Sequence, residues 1–286
     1  EVKSAFVDEL KSAIGKVIVG QEYMIERLLV GLLANGHVLV EGAPGLAKTL
    51  AVTTLAQALR AEFQRIQFTP DLLPADLVGT LIYEPKSGDF RVRKGPIFSN
   101  LVLADEINRA PPKVQSALLE AMQERSVTNS GNQYKVTDPF FVFATQKPIE
   151  QEGTYPLPEA QLDRFLMQVD IEYPEKDSEK EMLLATTGTE EKTIQQIMAP
   201  KELISAQNLI RSIHVGEQII ECIVKLVRNT RPDSSELKIV KEGLLWGAGP
   251  RASQSLMIAT RGMMTYVAME KAATINGESK HIHKHA

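Results

Sequence analysis

A single cysteine, Cys222, stands among 286 residues. No internal disulfide can form, and a reducing compartment is the expectation. No apolar run approaches the ~20 residues that a membrane-spanning helix needs, so a transmembrane segment is not expected. No secretory pattern opens the sequence, which together with the lone cysteine points to the cytoplasm. Basic excess is also missing, since the formal net charge is −4. A general duplex-DNA binder usually carries a basic stripe or a high pI, so nucleic acid is not an expected partner. Internal repeats and low-complexity tracts are absent too. What remains is an ordinary globular balance, 43% hydrophobic and 24% charged, enough for one large domain or two smaller ones.

Apolar spacing predicts helices over residues 1–14 and 23–34. Short apolar runs at 37–41, 63–68, 101–104, 140–144 and 167–171 read as five strands, with helices expected over 50–61 and 112–124. Strands alternating with helices predict a parallel five-stranded sheet covered on both faces, an α/β class. Two stretches interrupt the alternation, residues 80–94 around Pro85-Lys-Ser-Gly88 and residues 126–138 around Asn129-Ser-Gly-Asn132. Both read as β-hairpin insertions. After Tyr173-Pro174 only helical periodicity follows, over 179–186, 201–213, 217–228 and 251–275. The expected division is an α/β nucleotide-binding domain over 1–175 and a smaller all-helical lid over 176–286.

The run Gly42-Ala43-Pro44-Gly45-Leu46-Ala47-Lys48-Thr49 follows a strand and opens a helix at Leu50, the context in which a glycine-rich loop cradles phosphates. Glycine lets backbone amides approach the phosphates, and the helix N-terminus adds positive potential. Lys48 is the candidate for the β- and γ-phosphates and Thr49 for Mg²⁺. Ala47 stands where glycine is usual, but a residue entering a helix has negative φ and tolerates a side chain. An apolar strand ends 57 residues after Lys48 in Asp105-Glu106. Two carboxylates at the C-terminal edge of a parallel sheet lie where open α/β sheets bind ligands. Asp105 is the candidate to hold Mg²⁺, directly or through water, and Glu106 the group that polarises the attacking water.

These motifs, with Asp105-Glu-Ile-Asn-Arg-Ala110, residues 112–124 and the block Glu152-Gly-Thr-Tyr-Pro-Leu-Pro-Glu-Ala-Gln-Leu-Asp-Arg-Phe165, resemble the MoxR family of AAA+ ATPases, relatives of magnesium chelatase subunits. The resemblance covers most of the chain, and its wider group carries two hairpins matching the two insertions. It implies an AAA+ P-loop fold, ATP and Mg²⁺ as cofactors, and a homo-oligomer, as a hexameric ring, with nucleotide between subunits. It also implies a chaperone-like role in remodelling partner complexes or inserting a metal cofactor, with a von Willebrand factor A domain protein as partner. By the same resemblance residues 17–21, with Val19 and Gly20, match the segment against adenine. Arg164 matches the arginine finger that reaches a neighbouring subunit's γ-phosphate, and a guanidinium suits charge spread over equatorial oxygens. Arg251, in Gly249-Pro-Arg251, matches the lid arginine that touches nucleotide.

One position departs from the pattern. Where the family reads Ala-Thr-Gln-Asn-Pro, this chain reads Ala144-Thr-Gln-Lys147-Pro148. Asparagine donates and accepts and so orients a water; lysine only donates. Lys147 is therefore expected to act on the γ-phosphate as a point charge, with Gln146 as the alternative, and the rate of hydrolysis is the property most affected.

Other signals carry less. His281, His283 and His285 read as a polar tail. Met257, Met263, Met264 and Met269 read as packing within the helical lid. Cys222 lies in a helical apolar pattern that predicts a buried, inert thiol. Lys86, Arg91, Arg93 and Lys94 give the first hairpin a basic cast that suits a solvated edge strand or a client-facing surface in a ring. The leading expectation is an ATP-hydrolysing remodelling enzyme with an unidentified protein client. A nucleotide-gated scaffold with little hydrolysis and a nucleic-acid motor are the alternatives.

Overall fold

The structure is a computed structural model, and it describes residues 6–18, 20–42, 48–85, 88–129, 131–147, 153–174, 176–186 and 194–282. Helices α1 (Phe6–Val17) and α2 (Glu22–Leu33) precede β1 (Val38–Gly42) and α3 (Lys48–Leu59). Next come β2 (Phe63–Gln67), the short α4 (Pro74–Val78), and the strand pair β3 (Gly79–Glu84) and β4 (Asp89–Lys94). Strand β5 (Leu101–Asp105) leads through a 3-10 turn at Ile107–Arg109 into α5 (Pro112–Glu124). The second strand pair is β6 (Ser126–Asn129) with β7 (Asn132–Lys135), followed by β8 (Phe141–Gln146), α6 (Glu159–Leu162) and β9 (Met167–Ile171). Five helices end the chain: α7 (Lys176–Thr186), α8 (Pro200–Arg211), α9 (Glu217–Asn229), α10 (Lys238–Gly243) and α11 (Pro250–Ile282).

The five-stranded sheet runs β2-β5-β8-β1-β9, and every pairing in it is parallel. All six residues of β8 are buried, and so are the first four of β5. A parallel strand covered on both faces needs an unbroken apolar run, and that is what these segments supply. Alternate residues serve opposite cores. Val38, Val40, Leu101, Leu103, Phe141 and Phe143 join α1, α2 and α3 on one face. Leu39, Val102, Ala104, Val142 and Ala144 join α4 and α5 on the other. The expected hairpins form as two separate two-stranded sheets. In the first, Tyr83 packs against Phe90 with ring centroids 5.3 Å apart.

Among the described residues beyond Lys176, every regular element is a helix. Leu203, Ala206 and Ile210 of α8 and Tyr266 of α11 enter the core formed by α1, α2 and α3. Gln207 Nε2 donates to the Leu32 carbonyl at 2.7 Å, which satisfies one of the open acceptors at the end of α2. Met263 and Met269 pack against this same core, whereas Met264 is exposed.

Three expectations change. Cys222 is exposed, not buried, because α9 buries only Ile223 and Val227 and Cys222 precedes that stripe. Helix α11 continues to Ile282, so the backbone at His281 is helical rather than part of a tail; His283 and His285 lie outside the described residues. Short elements at α4, α6 and α10 also appear where no periodicity announced them, since each spans less than two turns.

Candidate functional site

Strands β1, β5 and β8 lie side by side, and their C-terminal ends carry Gly42, Asp105 and Gln146. Lys48 opens α3 directly after the phosphate-loop segment, and its Nζ donates to the Gly42 carbonyl at 3.0 Å. Burial pushes the Lys48 ammonium below the usual lysine range, while the charges of Asp105, Glu106 and Glu41 pull it back up. A half-buried cation facing three carboxylates is therefore seated at this edge. Ala43, Pro44, Gly45, Leu46, Ala47 and Val19 lie outside the described residues. Thr49 and Leu50 occupy the first turn of α3, and Gly20 takes φ +75° just before α2.

Glu106 adopts the left-handed conformation, φ 55° and ψ 50°, which costs a non-glycine residue about 1–2 kcal/mol. Neighbouring bonds hold it there. Its N–H donates to Thr145 Oγ1 at 2.8 Å, and its carbonyl accepts from the Arg109 N–H at 2.9 Å. Thr145 Oγ1 in turn donates to Asp105 Oδ1 at 2.6 Å. One hydroxyl on β8 thus fixes both carboxylate residues.

Each carboxylate already meets a cation of the protein. Arg65 of β2 holds Asp105 Oδ2 through Nη2 at 2.5 Å and Nε at 3.2 Å. Glu106 Oε1 lies 3.2 Å from Lys147 Nζ. Glu106 Oε2 accepts from Arg109 at 3.0 Å and from Gln67 Nε2 at 3.2 Å. Lys147 is itself located by a reciprocal pair: its N–H donates to Asn108 Oδ1 at 3.0 Å, and Asn108 Nδ2 donates to its carbonyl at 2.8 Å. Asn108 is buried, so this pairing is shielded from water. Gln146, the alternative to Lys147, points elsewhere and donates to Glu41 Oε2 at 2.6 Å.

Arg164 and Arg251 stand apart from this network. Arg164 follows α6, and its Nε is buried without a hydrogen-bond partner. Arg251 is exposed in the first turn of α11. Neither contributes to the bonds around Asp105 and Glu106. The block before Phe165 does reach the site's scaffold, since the Tyr155 N–H donates to the Asn108 carbonyl at 2.5 Å. Gln115 Nε2 bonds the carbonyls of Ile107, Ala110 and Tyr155. Arg65, Gln67, Asn108, Arg109 and Thr145 were not singled out in the sequence. Asn108, Arg109 and Thr145 sit inside the motif blocks and so carried some signal; Arg65 and Gln67 carried none.

The donor set fits magnesium. An Asp105 carboxylate and a Thr49 hydroxyl are hard oxygen ligands, and Mg²⁺ takes one or two protein oxygens and completes its shell with water and phosphate. Among the described residues no cluster of three or more His, Cys, Asp or Glu side chains could form an all-protein metal cage. Nor is any described helix long and apolar enough to cross a membrane.

The chain is similar to known proteins in sequence and in fold. Residues 37–167 match the model of the ATPase family associated with various cellular activities (AAA). Chaperone MoxR1 of Mycobacterium tuberculosis is 47% identical over 249 residues, 87% of this chain and 66% of that protein. The uncharacterized protein YeaC of Bacillus subtilis is 46% identical over 249 residues, 87% of this chain and 75% of its own length. This chain therefore spans about two thirds to three quarters of those relatives. A crystal structure of a Cytophaga hutchinsonii protein assigned as an ATPase superposes with a TM-score of 0.85 at 46% identity, covering 93% of this chain and 81% of that one. With 46–47% identity spread over both the site and the helical region, the chain belongs to the MoxR family of AAA+ ATPases.

Proposed function

We propose that the chain binds Mg²⁺·ATP at the C-terminal edge of β1, β5 and β8 and hydrolyses it to drive the remodelling of a protein client. The observation that carries this reading is the convergence of Lys48, Asp105 and Glu106, with Thr145 bonded to both carboxylate residues. Lys48 would meet the β- and γ-phosphates, while the residues of 42–49 other than Pro44 would supply backbone N–H groups. Thr49 and Asp105 would hold Mg²⁺, which supplies charge neutralisation at the transferring phosphoryl group. Glu106 would take a proton from the attacking water.

Lys147 has two tasks in this scheme. While paired with Glu106 at 3.2 Å, it occupies the carboxylate oxygen Oε1 that the attacking water would approach. A γ-phosphate entering the site offers the ammonium a second anionic partner. Lys147 moving toward phosphate would release Glu106 for catalysis, so that nucleotide arrival itself relieves the ion pair.

The same reading includes a homo-oligomeric ring of six with Arg164 acting on the neighbour's nucleotide and Arg251 acting from a lid formed by residues 176–286. A von Willebrand factor A domain partner, metal-cofactor insertion and a cytoplasmic location belong to the proposal by family likeness.

Phosphate release tests the reading. Glu106→Gln should lower turnover by roughly 10²-fold or more and leave ATP binding intact. Turnover in the parent no faster than in this variant would replace the enzyme with a nucleotide-gated scaffold.

A further inference from the structure

Arg65 sits where a metal-binding carboxylate would have to be reached. The parallel register between β2 and β5 sets Gln67 opposite Asp105 and Arg65 opposite Leu103. Arg65 and Gln67 therefore share one face of β2, and the Arg65 side chain runs along the strand toward Asp105. Its Nη2 donates both to Asp105 Oδ2 at 2.5 Å and to Gln67 Oε1 at 3.0 Å. Its Nε donates to the same Asp105 oxygen at 3.2 Å. The other oxygen, Oδ1, is taken by Thr145 at 2.6 Å. Both oxygens of Asp105 thus have partners supplied by the protein.

We propose that Arg65 is a placeholder cation for the divalent ion at Asp105, so that Mg²⁺ taking Oδ2 has to displace its guanidinium from that oxygen. The inference rests on the reading of Asp105 as a Mg²⁺ ligand. A guanidinium and a divalent cation compete for the same lone pairs and repel each other. Exposure makes the exchange feasible: the Arg65 side chain is 49% exposed against 19% for Asp105. The arginine can swing into water while the carboxylate stays in place. Gln67 makes the exchange specific to the site, because its oxygen orients Arg65 and its nitrogen bonds Glu106 at 3.2 Å. Release of Arg65 would therefore loosen a partner of Glu106 as well, linking metal entry to the freedom of the second carboxylate. Arg65 is a positioning residue in this scheme, and it raises the metal concentration that the nucleotide complex requires.

Mn²⁺ binding followed by electron paramagnetic resonance tests this without turnover. Protein loaded with a non-hydrolysable ATP analogue is titrated with Mn²⁺, comparing the parent with Arg65→Gln and Arg65→Lys. Arg65→Gln should bind Mn²⁺ more tightly, by up to about fivefold, the upper end expected for removal of a half-exposed ion pair worth about 1 kcal/mol. Arg65→Lys, which keeps the charge but loses the fork, should fall between the two. Affinity for the analogue in EDTA should match in all three proteins, which also reports that they are folded. Unchanged or weaker Mn²⁺ binding in Arg65→Gln would overturn the placeholder role and make Arg65 a support for the ligand. A parent protein that binds the analogue but gains no Mn²⁺ would overturn the assignment of Asp105 itself.

Discussion

Lys147 Nζ and Glu106 Oε1 lie 3.2 Å apart, joining the one position that departs from the family pattern to the carboxylate at the end of β5. Both side chains are partly exposed, at 36% and 22%, so the pair is soft enough to break. The backbone of Lys147 is not soft, because buried Asn108 grips both its N–H and its carbonyl. Only the side chain is free to change partners.

This pairing predicts that Lys147→Asn raises turnover at saturating ATP by about fivefold, the rate equivalent of an exposed ion pair worth about 1 kcal/mol. Nucleotide affinity should change little, since Lys48 and the loop amides remain. Steady-state phosphate release beside equilibrium titration of a fluorescent ATP analogue measures both. Equal turnover in the two proteins would remove the idea that Lys147 restrains Glu106.

Arg164 is expected to act between subunits. Arg164→Ala should lower hydrolysis by roughly 10³-fold with ATP binding retained. Mixing Arg164→Ala with Glu106→Gln protein should then restore part of the activity. In a mixed ring, an intact Arg164 can face an intact Glu106 across one interface. No recovery on mixing, under conditions where mixed assemblies are shown to form, would place Arg164 outside the catalytic interface.

His37 predicts a pH dependence of stability. Its ring is buried, accepting from the Val142 N–H at Nδ1, 3.0 Å, and lying 3.4 Å from the Met122 carbonyl at Nε2. Burial first, then the nearby Arg125 charge, push its pKa down to about 3 from 6.5. The folded state therefore keeps His37 neutral while the unfolded chain takes up a proton below pH 6.5. This contribution to stability is complete above pH 6.5 and declines as pH falls toward 3, by a few kcal/mol in order of magnitude. Urea unfolding between pH 7 and 4 should show the loss. His37→Gln should be less stable at pH 7 but flatter across that range, and an unchanged slope would point to other groups.

Cys222 should react with a thiol reagent in the native protein, without denaturant, because its thiol is exposed. Reaction only after addition of denaturant would contradict its exposed place on α9.

Much of the architecture was legible in the residues. The runs at 101–104 and 140–144 are short and apolar at successive positions, as a strand buried on both faces requires, and the two turn sequences announced their hairpins. Pro112 and the apolar spacing behind it marked α5. Cys222 misled because α9 carries apolar residues at 219, 220, 223, 224, 226 and 227, more than one face can bury. The helix chose the stripe of Ile223 and Val227, and that choice depends on which neighbours it meets. The length of α11 was underestimated because Asn276-Gly277 reads as a helix stop, whereas the helix runs through it to Ile282.

The sequence by itself determined the chemistry at this edge: a lysine after a glycine-rich loop, two carboxylates after an apolar strand, and a lysine where the family carries asparagine. Local order and residue type suffice for that, since each motif lies on one strand-to-loop junction. Only the tertiary structure decided how the charges pair. Strand order β2-β5-β8 and parallel register bring Arg65 and Gln67 beside Asp105 and Glu106, and Thr145 and Lys147 to their other side. Those contacts join residues about 40 positions apart, and pairing across strands follows from packing of the sheet rather than from local periodicity.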